Sequence, residues 1–185
     1  MKKIRLNITD FKTIIDNDYY YVDKSLLIKD VLNEKVVFYI RPKGFGKSLN
    51  MSMLYYFFSI NESNNSYLFE QLKISQDKKA KLHQNKYPVI ALSFKDLTAN
   101  NFNDMIIGYQ NILKTWLKNN IANYKKEATL YNLTTENISI IDLSNSLSTI
   151  SQYLKDYYHQ NVIILIDDYD TPLYFSSFNH YNDKA

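Results

Sequence analysis

Cysteine is missing from this 185-residue chain. Its absence excludes disulfides and thiolate zinc sites and fits a reducing, cytoplasmic setting. Glycine and proline are scarce, at three each, and two of the glycines, Gly44 and Gly46, share one short loop. Arginine is confined to Arg5 and Arg41, so lysine carries most of the positive charge. A net charge of +3 is too mild for the concentrated basic face that nucleic acid requires. The short clusters Lys78, Lys79, Lys81 and Lys125, Lys126 read as solvated helix surface. No apolar run approaches the roughly 18 residues of a membrane helix. Lys2, Lys3 and Arg5 are followed by Asn7, Asp10 and Lys12 instead of the apolar stretch of a targeting sequence. His83, His159 and His180 have no ligand spacing and read as surface residues, and no Ser-His-Asp elbow is present.

What the chain does have is a stretch around which the rest is organised. Val36-Val37-Phe38-Tyr39-Ile40 is a continuous apolar run, the pattern of a strand covered on both faces in a parallel sheet. Pro42 stops that strand from extending, and Gly46-Lys47-Ser48 then opens an amphipathic run through Leu49, Met53, Tyr56 and Phe57. Strand, glycine-bearing turn and helix follow in the order a phosphate-binding loop needs.

Before this stretch, residues 1–18 place Phe11, Ile14 and Ile15 on one helical face. Residues 19–23 read as extended, with Asp23 as the cap of a helix over 25–33, and residues 21–25 are expected to pack beside the loop strand, the alternative being direct contact with a nucleotide. After it, the polar residues 61–66 read as a surface loop, and 67–72 and 76–84 as short helices. Residues 88–94 form a second strand with Pro88 at its entrance. A strong apolar stripe predicts a helix over 102–123 that puts Trp116 in the core. Residues 123–141 give no clear pattern, 143–158 form another amphipathic helix, and 162–168 form a strand that ends in two carboxylates. Alternating strands and helices define an α/β fold with a mainly parallel sheet.

Polyphosphate needs many donors near one crowded anion. Glycines allow backbone N–H groups to approach, a helix N-terminus adds its dipole, and a lysine neutralises the outer phosphates. Gly44, Gly46 and Lys47 suit those roles, and the Ser48 hydroxyl suits Mg²⁺. The general pattern is G-x-x-x-x-G-K-[ST], and Arg41 stands at its first glycine. A partner carboxylate is expected at the end of another strand. Asp167 is the natural Mg²⁺-side residue and Asp168 the candidate for positioning an attacking water. Asp168 stands where many ATPases carry glutamate and is one methylene shorter, which weakens its reach. Asp170 could contribute or could cap the segment after Thr171-Pro172.

Three segments together resemble the bacterial predicted AAA-ATPase family. They are Tyr21-Val22-Asp23-Lys24-Ser25, then Arg41-Pro42-Lys43-Gly44-Phe45-Gly46-Lys47-Ser48-Leu49, then Leu165-Ile166-Asp167-Asp168-Tyr169-Asp170-Thr171-Pro172. The family typically shows Tyr-Val-Asp-Lys-[Thr/Ser], then Arg-Pro-Arg-Arg-Phe-Gly-Lys-[Thr/Ser], then Ile-Asp-Glu-Tyr-Asp-x-Pro. An arginine at the position of Arg41 is normal there. The resemblance implies a P-loop, three-layer α/β/α fold that binds ATP with Mg²⁺. Lys43, Gly44, Phe45, Gly46, Lys47, Ser48 and Leu49 would surround the nucleotide, Ser48 and Asp167 (the Walker B acid) would face the metal, and Asp168 would be the catalytic acid.

On this reading residues 1–185 form the N-terminal part of such a domain. It comprises a lead-in over 1–35, the P-loop unit over 36–60, the second strand over 87–94 and the Walker B strand over 162–168. Family members generally continue into further strands and a helical lid. The expected sensor strand, lid and arginine finger have no candidates here, so the chain reads as a truncated member whose hydrolysis is impaired. A partner chain could supply the missing parts. The alternative is a non-catalytic remnant or interaction module that keeps the fold without turnover.

Overall fold

Asp10 decides where the first helix starts. Its carboxylate accepts hydrogen bonds from the Thr13 amide at 2.7 Å and the Thr13 hydroxyl at 2.6 Å, and helix α1 (Phe11–Asp16) begins behind it. The computed structural model describes residues 2–42, 44–122, 124–136, 138–172 and 174. These divide into two units, one made of the described residues up to Val89 with Gln160–Leu165, the other of Ile90–His159 with those from Ile166 onward.

In the first unit an aromatic cluster holds α1 against α3 (Lys47–Phe58), with α2 (Leu27–Leu32) contributing the buried Ile28. Phe11 stacks on Phe69 with ring centroids 5.2 Å apart and meets Tyr21 edge-on at 5.5 Å. Phe57 meets Phe69 edge-on at 5.1 Å. The same helices are tied by polar bonds, because the Phe11 amide donates to Ser52 Oγ at 2.9 Å and Tyr56 donates to Asp10 at 3.0 Å.

Residues 61–66, expected as a surface loop, are instead coiled into a 3-10 helix over Ile60–Phe69 that is kinked at Glu62. Ser59 Oγ accepts from the Asn61 amide, and Asn65 donates to Glu62 across one turn. These short polar side chains satisfy the turns that their composition alone reads as loop. A second 3-10 helix, Lys73–Gln76, and α4 (Lys78–Lys81) follow, with Asp77 capping α4 through the amides of Lys79 and Ala80.

The second unit is built on α5 (Phe102–Asn120), capped by Asn101 and buried along Leu113, Trp116 and Leu117. Gly108 gives α5 its close approach to Leu97, since a Cβ there would lie 2.3 Å from Leu97 Cδ1. The stretch without a sequence pattern folds as a 3-10 turn, Tyr124–Lys126, and α6 (Ala128–Asn132), with Leu130 and Leu133 in the core. The helix expected from 143 is two: α7 (Ile140–Ser144), started by a Ser139 cap, and α8 (Ser146–Tyr158). Tyr109 and Ser146 share a hydrogen bond at 3.0 Å, joining α5 to α8.

Strands β1 (Val89–Ser93) and β2 (Ile163–Asp167) pair in parallel as a small two-stranded sheet, so the chain is a mixed α/β protein. The Ile163 amide donates to the Pro88 carbonyl and the Phe94 amide to that of Asp167, each at 3.0 Å. Among the described residues each strand has one neighbour, and Ile164 is 42% exposed accordingly. Residues 36–40 are the main correction, for they form no strand. Val36, Phe38 and Ile40 are 71%, 70% and 72% exposed, where a strand covered on both faces was expected. An apolar run becomes a buried strand only when other strands pair with it, and no strand of the described chain does so here.

Candidate functional site

The loop between residue 40 and α3 takes its shape from two glycines. Gly44 and Gly46 have φ of 83° and 78°, left-handed values that cost an L-residue about 1–2 kcal/mol. Gly46 is the N-cap of α3, and with no side chain of its own it leaves the helix start without a side-chain cap. The Asn50 amide donates to the Gly46 carbonyl at 2.9 Å and closes the first turn. The earliest amides of a helix have no intrahelical acceptor, and the first turn of α3 holds no acid. Its dipole therefore meets a loop that is cationic through Arg41, Lys43 and Lys47.

The loop is pinned at both limbs. Asn50, buried in α3, donates to the Tyr39 hydroxyl at 3.1 Å, and the Arg41 guanidinium lies 5.4 Å over the Tyr39 ring. Lys47 Nζ donates to the Arg41 carbonyl at 2.7 Å and folds across the loop. Ser48 and Leu49 sit half-buried in the first turn of α3, while Gly44 and Phe45 are exposed. Lys43 lies outside the described residues.

A contact that sequence reasoning missed comes from Tyr21-Val22-Asp23-Lys24-Ser25. Asp23, expected to cap a helix, instead bridges two segments, accepting from the Ser25 amide and the Lys73 amide, both at 2.8 Å. Ser25, fully buried, accepts from the Ile74 amide at 3.1 Å. Tyr21 packs on Phe11, burial pushes its phenol up to about 12, and its oxygen accepts from the Lys24 amide. Held on both sides, Lys24 points its ammonium at the loop and donates to the Phe45 carbonyl at 3.4 Å.

Four carboxylates of this unit, Asp10, Asp16, Asp23 and Asp77, titrate below their ordinary range, and Asp10 and Asp23 are those held mainly by neutral donors. Burial pushes Asp23 and Asp10 upward, but hydrogen bonds outweigh it, from Ser25 and Lys73 in one case and Thr13, Tyr56 and Ser52 in the other. A lowered folded pKa stabilises the fold above the unfolded value, near 3.8, and the contribution is lost as pH falls through the folded value. The thermal midpoint should therefore drop below about pH 4. The double variant Asp10→Asn, Asp23→Asn should show a flatter acid limb, and an unchanged slope would contradict this origin.

Asp167 is the last residue of β2, and Asp168 follows it with φ of 52°. The Asp168 amide donates to Asp167 Oδ1 at 3.1 Å, and its carbonyl accepts from the Thr171 amide at 3.0 Å. The sharp turn leaves both carboxylates half-buried at one strand end. Thus Gly44–Leu49 and Lys24 gather in the first unit, and Asp167 with Asp168 in the second. Among the described residues no cluster of three or more His, Cys, Asp or Glu side chains has metal-site geometry. His83 stacks on Tyr87, His159 ends α8 in a left-handed conformation, and His180 lies outside the described residues. No helix among them is long and apolar enough to cross a membrane.

A mixed α/β chain in which a glycine loop lined by lysines opens an uncapped helix is of a class able to receive anions at that helix N-terminus. This chain belongs to the AAA-ATPase-like family, described as predicted AAA-ATPase, whose family model matches residues 5–184. Membership carries nucleotide-binding, ATPase-like function as its broad reading. No curated protein and no solved structure matches the chain.

Proposed function

We propose that the chain is an ATP-binding P-loop domain that uses Mg²⁺, with a three-layer α/β/α fold and a cytoplasmic setting. The observation that carries the reading is the left-handed Gly46 as the bare N-cap of the 12-residue α3, with Lys47 next to it. The residues fit the group. The loop offers main-chain donors, a dipole and cations, and Lys47 is parked on a neutral carbonyl that a phosphate oxygen would outcompete. Lys43, Gly44, Phe45, Gly46, Lys47, Ser48 and Leu49 would surround the phosphates. Mg²⁺ bound with ATP takes phosphate oxygens and water as most of its ligands, and Ser48 and Asp167 would be the residues of the chain that face it. When bound, that ion neutralises charge on the transferring phosphoryl group.

Asp168 would orient the attacking water. A second reading, binding without turnover, draws support from the short reach of Asp168, one methylene shorter than the glutamate that many ATPases carry there. Labelled-ATP binding with and without Mg²⁺ tests the main reading. Wild type should bind, and Lys47→Ala should weaken binding roughly ten- to hundredfold, the worth of a charge-assisted hydrogen bond of about 1.5–3 kcal/mol. If wild type fails to bind, or Lys47→Ala binds equally well, the proposal falls. Phosphate release that disappears in Asp168→Ala would reject the second reading.

A further inference from the structure

We propose that Lys24, far from the loop in sequence, is a second phosphate-binding cation of the site and contacts bound nucleoside triphosphate directly. The inference rests on the ATP-binding reading above and deepens it.

Three observations support it. First, the Lys24 ammonium is already at the loop. It donates to the Phe45 carbonyl, and it lies 3.8 Å from where a Cβ on Gly46 would stand. Gly46 is the N-cap of α3, so the second cation sits beside the residue from which the helix amides emerge. Second, its present bond is weak. At 3.4 Å it is near the outer limit of hydrogen bonding, and its acceptor is neutral. An ammonium-to-phosphate contact closes to about 2.7–2.9 Å and is roughly twice as strong as a bond between neutral groups. Among the described residues no carboxylate lies within ion-pair distance of Lys24, so nothing anionic competes for it.

Third, the main chain beneath Lys24 is held while its side chain is exposed. Asp23 and Ser25 fasten their stretch to the amides of Lys73 and Ile74, and Tyr21 accepts from the Lys24 amide. Neighbours on either side face inward and the ammonium faces the loop. A lysine pays much of its side-chain entropy to make one directed contact, so a fixed base makes that contact cheaper. Lys47 and Lys24 approach the loop from opposite sequence directions. Their acceptors, the carbonyls of Arg41 and Phe45, are the two that a phosphate would relieve.

The competing explanation is a brace, in which Lys24 only steadies the loop through Phe45. Equilibrium binding of Mg-ATP and thermal unfolding of the nucleotide-free protein separate the two, using wild type, Lys24→Met, Lys24→Arg and Lys47→Ala. Methionine keeps the apolar stem without the charge, and arginine restores the charge. We expect Lys24→Met to weaken ATP binding by about tenfold or more. Lys24→Arg should stay close to wild type, and the nucleotide-free midpoint of Lys24→Met should be unchanged. Any other pattern overturns the inference: full ATP binding by Lys24→Met, a loss in Lys24→Arg as large as in Lys24→Met, or a lowered midpoint in Lys24→Met. If Lys47→Ala loses ATP while Lys24→Met keeps it, only the role of Lys24 falls. If wild type does not bind ATP, both readings fall.

Discussion

Replacing Phe11 by alanine should lower stability by about 3–5 kcal/mol, the range for removing a buried aromatic ring. The ring is fully buried, stacked on Phe69 and edge-on to Tyr21, and Phe69 in turn supports Phe57 of α3. Aromatic neighbours in these geometries add to what burial alone contributes. They cannot collapse into the void without breaking their own contacts, so the cavity term adds to the lost transfer energy. Urea unfolding should show the loss, and the thermal midpoint should fall by roughly 10 °C. Phe11→Leu, which refills part of the space, should recover part of the loss. A loss below about 1 kcal/mol would mean that the cluster repacks freely, contrary to a close-packed interior.

Leu117→Ala should cost about 2–5 kcal/mol. Leu117 is fully buried on α5, one turn beyond the equally buried Leu113. Alanine is at least as good a helix former as leucine, so helix propensity cannot account for the loss and packing must. Ile107→Ala, on the same helix but 48% exposed, is the control and should change stability by no more than about 0.5 kcal/mol. Equal losses at the two positions would show that the stripe along α5 is not what holds the second unit together.

That stripe was legible because helical periodicity is local. Phe102 through Leu117 repeats within a few residues, and the helix forms where the pattern says it should. The loop was legible for a related reason. Gly44, Gly46 and Lys47 are adjacent, and left-handed backbone is what glycine permits. Residues 36–40 were misjudged because Val-Val-Phe-Tyr-Ile reads identically whether or not strands flank it, and flanking strands come from elsewhere in the chain. Only Tyr39 of the five packs inward, and its hydroxyl meets Asn50. The segment at Asp23 was misread similarly. An aspartate just before a helical run suggests a cap, yet its second bond goes to Lys73, which no local pattern indicates. The placing of residues 21–25 beside the loop was legible, but the target of Lys24 was not, since it becomes apparent only where the chain returns to it at Phe45.

The exposure of residues 36–40 also bears on how the protein behaves in a crowded solution. Five consecutive β-prone side chains without charge, proline or glycine match the composition of segments that stack into intermolecular sheets. Here the run is bounded by Lys35 and Arg41, with Pro42 immediately beyond. Charges and proline at the borders of such a run act as gatekeepers, because in-register stacking would pile like charges on one another. Arg41 therefore has a second duty besides lining the loop: it limits the colloidal risk created by the stretch that leads into it.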